Sequence, residues 1–170
     1  YDLVQEEIQS WYRLPSEYEI NFKARINSEE RFLAIYGKAK EGDLVRPGRI
    51  LIAPGNKHME LRRMELASIV SLNSNPPENG HRPSVDVLFR SANKFYGSSV
   101  LAVIMTGMGR DGAAELAEMR KQGAYTLGQD EKSAIVYGMP RVGFELGGVQ
   151  KQVALSDMAN EISKLAREHR

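Results

Sequence analysis

Apolar and polar positions change between strand-like and helix-like patterns through the second half of the chain. A β-branched apolar run at 100–105 predicts a buried strand, and apolar residues at helical spacing predict a helix at 113–122. Gly123 follows as a predicted C-cap of that helix, and 124–127 predicts the next strand. Strands that alternate with helices predict a mostly parallel sheet with helices on both of its faces.

The rest of the pattern adds a hairpin and several shorter elements. Residues 58–63 and 66–72 predict the two strands of a β-hairpin, and Pro83 suits the first turn of a helix with an apolar face from Val85 to Phe95. The other predicted elements are helices at 3–11 and 18–26, strands at 32–36, 49–53 and 152–155, short helical pieces at 134–138 and 140–146, and a final helix that Ser156 caps, with Met158, Ile162 and Leu165 facing inward. We expect a doubly wound α/β fold with three α/β/α layers and one β-hairpin, formed by residues 1–170 as a single domain.

Composition and charge are those of an ordinary globular domain, and they exclude several functions. The 170 residues are 42% hydrophobic with a net charge of +1, which is enough for one core and gives no basic surface for nucleic acid. The chain has no cysteine, and its three histidines are too far apart in sequence for a metal-ligand motif. No apolar run reaches the roughly 20 residues that span a bilayer, and no signal peptide is visible. We expect a cytoplasmic protein without membrane insertion, nucleic acid partner, metal or cofactor.

The most informative stretch is the glycine-rich turn at 106–112, called the Gly turn below. It follows the predicted strand at 100–105, and α/β proteins bind ligands at the carboxyl ends of such strands. Residues 107–112 fit the dinucleotide pattern G-x-G-x-x-G, with Asp130 about 20 residues further on, although a carboxylate in the turn would repel a pyrophosphate. Alternatively, Asp111 caps a helix N-terminus. In the third interpretation, Asp111 orients a histidine in a Ser–His–Asp arrangement, and backbone N–H groups of the turn bind an oxyanion.

Five motifs stand along the chain in the order and spacing of a known family. They are IAPGNKHMEL (52–61), HRPSVDVLF (81–89), TGMGRDGA (106–113), QDE (129–131) and VYGMPR (136–141). Together they resemble the CheB-type protein-glutamate methylesterases of bacterial chemotaxis. The resemblance implies a doubly wound α/β fold and hydrolysis of glutamate methyl esters on methyl-accepting chemoreceptors, with deamidation of receptor glutamines as a second reaction.

The resemblance also implies roles for individual residues and partners. The family's triad aspartate falls on Asp111, and an oxyanion contribution falls on the backbone N–H of Met108. Arg82 and Arg141 are candidates for lining a groove that binds an acidic substrate. Family members usually carry a response-regulator receiver domain, which is a further candidate partner and is not present in this chain.

The chain departs from the family pattern at the nucleophile and the base. The family carries its serine in a Gly-Ala-Ser-Thr-Gly-Gly turn and its histidine in Gln-His-Met-Pro, and neither is found here. One alignment puts Arg13 in place of the base, which cannot accept a proton near neutral pH; another matches residues 2–14 to the helix after the nucleophile turn. The start without Met favours part of a longer enzyme, whereas the segment at 11–13 favours a diverged, catalytically inactive binding or regulatory module. We expect divergence, with the other explanation open.

The remaining polar residues of the motifs have structural interpretations. We expect structural or rim roles for His58 and His81, and a hydrogen bond at the start of a helix for Ser84. No glycine-rich elbow surrounds Ser84, which argues against a nucleophile there. Asp86 is interpreted as a carboxylate in the first turn of a helix, and 130–131 as part of a loop at the same sheet edge as Asp111.

Overall fold

The computed structural model describes residues 23–26 and 32–168 of the chain. Its strands are β1 (Lys23–Ile26), β2 (Phe32–Lys38), β3 (Leu44–Val45), β4 (Arg49–Ile52), β5 (His58–Arg63), β6 (Ser68–Asn73), β7 (Leu101–Ile104), β8 (Tyr125–Gln129) and β9 (Lys151–Val153). Its helices are α1 (Val85–Tyr96), α2 (Ala113–Lys121), α3 (Met139–Glu145) and α4 (Leu155–Glu168), with a 3₁₀ turn at Gly97–Ser99. The helix predicted at 3–11 lies outside the described residues.

These elements divide into two compact units. The first contains β1, β2 and β4, and the second contains Ala39–Arg46 and the residues from Ala53 onward. In the first unit, β2 pairs antiparallel with β1 and parallel with β4. This confirms the strands predicted at 32–36 and 49–53. That residues 1–170 form a single domain stays a prediction.

The helix predicted at 18–26 is wrong in its last four residues, and the preceding residues lie outside the described ones. Residues 23–26 form β1, which pairs with β2 from Lys23 opposite Ile35 to Ile26 opposite Phe32. Apolar residues four apart fit both a helix and one face of a strand, because four is a multiple of the strand period of two. The backbone hydrogen bonds to β2 decide between the two.

The predicted β-hairpin is confirmed in the second unit. β5 pairs antiparallel with β6, from His58 opposite Asn73 to Arg63 opposite Ser68. β3 adds to the free side of β6, so the sheet has the order β3-β6-β5. The two residues of β3 are too few to show a periodicity, and the sequence therefore did not predict this strand.

A parallel sheet of order β7-β8-β9 forms the centre of the second unit. Successive side chains of β7 point to opposite faces, so each face has its own apolar core. On one face, Ala102 and Ile104 pack with Leu116 and Met119 of α2 and with residues of α1 and α3. On the other face, strand residues pack with Leu127, Val153, Met158 and Leu165. Helices therefore cover both faces, which confirms the α/β class and the α/β/α layering for this sheet.

Some predicted boundaries shift and one predicted element is absent. Residues 134–138 form bends and an isolated bridge instead of a short helix, because their backbone groups bond to the Gly turn. α4 begins at Leu155, so Ser156 lies inside the helix and does not cap it. Gly123, at φ +92°, follows α2 as expected for a residue in the left-handed region. None of the helices in the described residues is long and apolar enough to cross a bilayer.

Candidate active site

The Gly turn leaves the carboxyl end of β7 and is held there by the segment that follows β8. The Thr106 N–H donates to Oε1 of Gln129 at 2.8 Å, and the Gly107 N–H donates to the Val136 carbonyl at 3.0 Å. The Gly107 carbonyl in turn accepts the Met139 N–H at 2.9 Å. We call residues 129–139 the clamp segment. The start of the turn is therefore fixed on both sides of the Thr106–Gly107 peptide.

Asp111 is buried and caps the N-terminus of α1 from a different part of the chain. Only 4% of its surface is exposed. Its Oδ2 accepts the Val85 N–H at 2.7 Å, and its Oδ1 accepts the Ser84 hydroxyl at 2.7 Å and the Asp86 N–H at 3.3 Å. The Asn79 amide also donates to Oδ1, at 3.2 Å. The cap expected for a carboxylate at a helix start is present, but it serves the neighbouring helix and not α2, which Asp111 precedes in sequence.

A second aspartate, Asp86, caps the N-terminus of α2. Oδ1 of Asp86, in the first turn of α1, accepts the Glu115 N–H near the start of α2 at 3.2 Å. The Asn79 amide donates to Oδ2 of Asp86 at 2.6 Å as well as to Asp111, so one NH₂ group separates and satisfies two buried carboxylates. The two helices thus exchange caps, and the carboxylate expected in the first turn at Asp86 has this additional partner.

The surroundings of Asp111 keep its carboxyl ionised. Burial raises the pKa of the Asp111 carboxyl, but hydrogen bonds from the Val85 N–H, the Ser84 hydroxyl, the Asn79 amide and the Asp86 N–H outweigh this effect. The pKa is held below the usual aspartate value. Asp111 is therefore an anion at neutral pH, as either a helix cap or the orienting group of a triad requires.

We expect Asp111 to make the folded state sensitive to acid. Its pKa is lower in the folded state, so its contribution to the free energy of unfolding is complete above the unfolded-state pKa of about 4 and is lost as pH falls through the folded pKa. Urea denaturation of wild type and Asp111→Asn, repeated at decreasing pH, checks this. The difference in free energy of unfolding should be widest near neutral pH and shrink below about pH 4. A difference independent of pH would contradict it.

Met108 presents a backbone N–H that is not used within the part of the chain that the structure describes. The residue is 80% exposed, and its N–H donates to no acceptor among those residues. Gly109 and Gly112 follow it in the turn at φ +94° and +83°, in the region that favours glycine. An unengaged N–H at the N-terminal side of a helix is suited to an oxyanion. The geometry is compatible with the role expected for Met108, which stays a prediction.

Ser84 and His58 are buried together but do not form a nucleophile–base pair. The Ser84 hydroxyl donates to Asp111, and its backbone N–H donates to Nδ1 of His58 at 3.2 Å. Nε2 of His58 lies 3.1 Å from the Pro76 carbonyl, so the neutral tautomer with hydrogen on Nε2 satisfies both contacts. Both side chains therefore fix the segment that leads into the N-terminus of α1. Within residues 39–168, no histidine donates a hydrogen bond to Asp111.

The two arginines expected to bind substrate lie in different settings. The Arg82 guanidinium donates to Oδ1 of Asn56, at 2.7 Å from Nη2, and to the carbonyls of Ser74 and Asn75, both at 3.0 Å. It thereby ties the loop at 74–82 to the turn before β5. Arg141 is exposed on α3 in an open groove of about 550 Å³, with Tyr137, Phe144 and Gln152 among its lining residues. Arg82 does not line that groove, and substrate binding by either residue stays a prediction.

Comparisons with known proteins identify the family and the fold of this chain. The family model for the CheB methylesterase matches residues 11–162. The chain belongs to this family. A CheB catalytic domain of Thermotoga maritima, solved by crystallography, superposes with a TM-score of 0.74 at 29% identity, covering 76% of this chain and 68% of that one.

Curated relatives of the CheB family match this chain at higher sequence identity than the Thermotoga maritima domain does. The protein-glutamate methylesterase/protein-glutamine glutaminase of Treponema pallidum (strain Nichols) is 55% identical over 130 residues, which are 76% of this chain and 32% of the relative. The second such protein of Albidiferax ferrireducens is 51% identical over 149 residues, which are 88% of this chain and 43% of the relative. The chain thus spans less than half of the length of these CheB relatives.

The positions of Asp130 and Asp111 do not support the dinucleotide interpretation of the Gly turn. Oδ1 of Asp130 accepts both the N–H and the hydroxyl of Ser133, at 3.1 and 2.5 Å, so this oxygen is already engaged within its own loop. The Asp111 carboxylate caps α1 beside the turn where a pyrophosphate would have to approach. The loop at 130–131 follows β8 and the Gly turn follows β7, which is parallel to β8, so both lie at the same sheet edge as expected.

Proposed function

We propose that the whole protein hydrolyses glutamate methyl esters on methyl-accepting chemoreceptors in the cytoplasm, and also deamidates receptor glutamines. The observation that carries the proposal is an ionised, buried Asp111 in the same turn as an unengaged Met108 N–H, in a chain of the CheB methylesterase family. The relatives' names describe both reactions. Both are attacks on a side-chain acyl carbon, so one nucleophile and one oxyanion site serve both.

In this proposal, each group of the Gly turn has a distinct part. Asp111 fixes the tautomer of a histidine base and stabilises the imidazolium that forms when the base takes a proton. The Met108 N–H donates to the acyl oxygen as negative charge develops on it in the tetrahedral intermediate. The nucleophilic serine and the histidine are supplied by residues other than Ser84 and His58, because the hydroxyl and ring of those residues are already engaged.

The proposed partners are the methylated helices of the receptors and a response-regulator receiver domain. Receptor methylation sites are glutamates, so a neighbouring carboxylate in a substrate would compete with Glu145, whose Oε1 lies 3.9 Å from the Arg141 Nε, for Arg141 at the open groove beside α3. Arg82 contributes through the loop that it holds, because its guanidinium already has three acceptors.

Methanol release from a methylated receptor fragment tests the proposal. The assay uses the complete native gene product, with Asp111→Asn as the inactive comparison. Release by wild type that disappears in Asp111→Asn is the expected result. Absence of release from a folded wild-type protein would overturn the proposal, and equal release by both proteins would overturn the role of Asp111.

A catalytically inactive module that binds receptors is the second candidate, and one observation favours it. Both oxygens of Asp111 already accept hydrogen bonds at the start of α1, so the residue has a structural reason to be present without any catalysis. Capture of receptor helices by the complete protein, with no methanol release, would support this candidate over the esterase.

A further inference from the structure

Gln129 is a buried polar residue at the end of β8 whose amide bonds to the Gly turn at one end and to Ser133 of the clamp segment at the other. It is 1% exposed. Its Oε1 accepts the Thr106 N–H at 2.8 Å, and its Nε2 donates to the Ser133 carbonyl at 2.8 Å. One side chain therefore joins the first residue of the Gly turn to the middle of the clamp segment. A buried amide with both ends satisfied has a single favourable orientation.

The clamp segment that Gln129 holds is itself fixed to the fold. The Ser133 hydroxyl donates to Asp130 and accepts the Leu155 N–H at 2.9 Å, which ties it to the start of α4. The Val136 N–H donates to Oγ1 of Thr106 at 2.9 Å. The position of the Gly turn is thus set through a connected network, in which Gln129 is the buried link.

We propose that Gln129 is a positioning residue for the esterase reaction, because it fixes the Met105–Thr106 peptide, two peptide units before the one from which the Met108 N–H projects. This inference rests on the proposed function. Met108 lies two residues after Thr106, so a tilt of the Thr106 peptide moves the Met108 N–H away from the acyl oxygen. Such a donor acts chiefly in the transition state, where the oxygen is charged. Its loss of alignment lowers kcat and leaves KM nearly unchanged.

Gln129→Met tests the proposal, because methionine has a similar length and neither donates nor accepts a strong hydrogen bond. We expect kcat for methanol release to fall by about 10- to 100-fold, with KM within about twofold of wild type. The matched control is Thr126→Val on the same strand. Thr126 is fully buried and its hydroxyl accepts the Gln150 N–H at 3.1 Å, away from the Gly turn. The control should lose stability but keep kcat.

Gln129→Glu separates positioning from a general loss of packing. The introduced carboxyl is neutral at low pH, where it can accept the Thr106 N–H and donate to the Ser133 carbonyl as the amide does. When it ionises, it loses the donor. The kcat of Gln129→Glu relative to wild type should therefore rise as pH falls. Unchanged kcat in Gln129→Met, an equal fall of kcat in Thr126→Val, or a pH-independent ratio for Gln129→Glu would overturn the proposal.

Amide hydrogen exchange distinguishes a failure of this proposal from a failure of the proposed function. In wild type, the Thr106 N–H should exchange slowly, and in Gln129→Met it should exchange at least about tenfold faster, with the exchange rates in the last two turns of α4 unchanged. Wild type that releases no methanol overturns the proposed function. Exchange at Thr106 that is the same in both proteins overturns the positioning role of Gln129, whatever the activity.

Discussion

Asp111→Asn is expected to lower kcat for methanol release by about 10⁴-fold, the scale of the loss when an amide replaces the carboxylate of a Ser–His–Asp triad. An amide cannot stabilise the imidazolium, and its NH₂ group favours the wrong histidine tautomer. Steady-state kinetics of the complete protein on a methylated receptor fragment measure the effect. The fall should appear in kcat and in kcat/KM alike, because the carboxylate acts after the substrate has bound.

The same substitution is also expected to reduce the free energy of unfolding, by about 1–3 kcal/mol. Oδ1 of Asp111 accepts three donors and Oδ2 accepts the Val85 N–H. An asparagine that keeps its oxygen on the three-donor side turns its NH₂ group toward the Val85 N–H, so a donor meets a donor. Urea denaturation gives the loss of stability. Activity should be compared only where both proteins are folded.

Asp157→Asn is the matched control for the carboxylate-to-amide change. Asp157 lies exposed in the first turn of α4, where its charge contributes no more than about 1 kcal/mol through the helix dipole. We expect this control to keep wild-type kcat. If Asp111→Asn retained more than about a hundredth of the wild-type rate, a triad role for Asp111 would be untenable.

Gly138→Ala is expected to lower kcat by about 10²-fold and the free energy of unfolding by about 1–3 kcal/mol. At φ −100°, the backbone of Gly138 accepts any residue, so the cost is purely steric. A Cβ would lie 2.6 Å from the Gly107 carbonyl oxygen, 3.1 Å from the Gly109 nitrogen and 3.3 Å from the Met108 Cα. These are backbone atoms of the Gly turn, and they can relieve the overlap only by moving away from the clamp segment.

Gly55→Ala separates this overlap from a general effect of replacing glycine. Among the described residues, a Cβ at Gly55 meets no atom within 4 Å. Kinetics and urea denaturation of the two variants should therefore differ clearly. Wild-type kcat and an unchanged denaturation midpoint in Gly138→Ala would mean that the turn tolerates the displacement, and that the Met108 N–H does not depend on contact with the clamp segment.

Local patterns were sufficient to predict most elements of the second unit. The apolar run of β7, the Gly turn and the helical spacing of α2 form a strand–turn–helix unit that needs no distant partner to be recognised. The hairpin of β5 and β6 is equally local, and its register follows from alternation between two adjacent strands. The region at 134–138 was predicted wrongly, because its conformation is set by hydrogen bonds to the Gly turn of a different strand.

In the candidate site, too, the sequence could not predict contacts between residues that are far apart in the chain. The sequence identified Asp111 as a carboxylate near a helix start, but it could not show that the helix is α1 and not α2. Gln129 lies in a motif, yet its partner Thr106 lies in the turn after another strand and no spacing rule links them. Asn79 was missed, because an asparagine in a loop is an ordinary turn residue until two buried carboxylates are placed beside it.

Because α1 and α2 exchange caps, the presence of Asp111 in a sequence is evidence of common descent and is not by itself evidence of esterase activity. Loss of Asp111 leaves N–H groups unpaired at the start of α1, and loss of Asp86 does the same at α2, so selection for folding alone is enough to retain both aspartates. A lineage that had abandoned ester hydrolysis would still be expected to carry the motif around Asp111. Among relatives of this chain, an intact Gly turn therefore identifies descent from the family, and the serine and histidine decide whether a given member is still an enzyme.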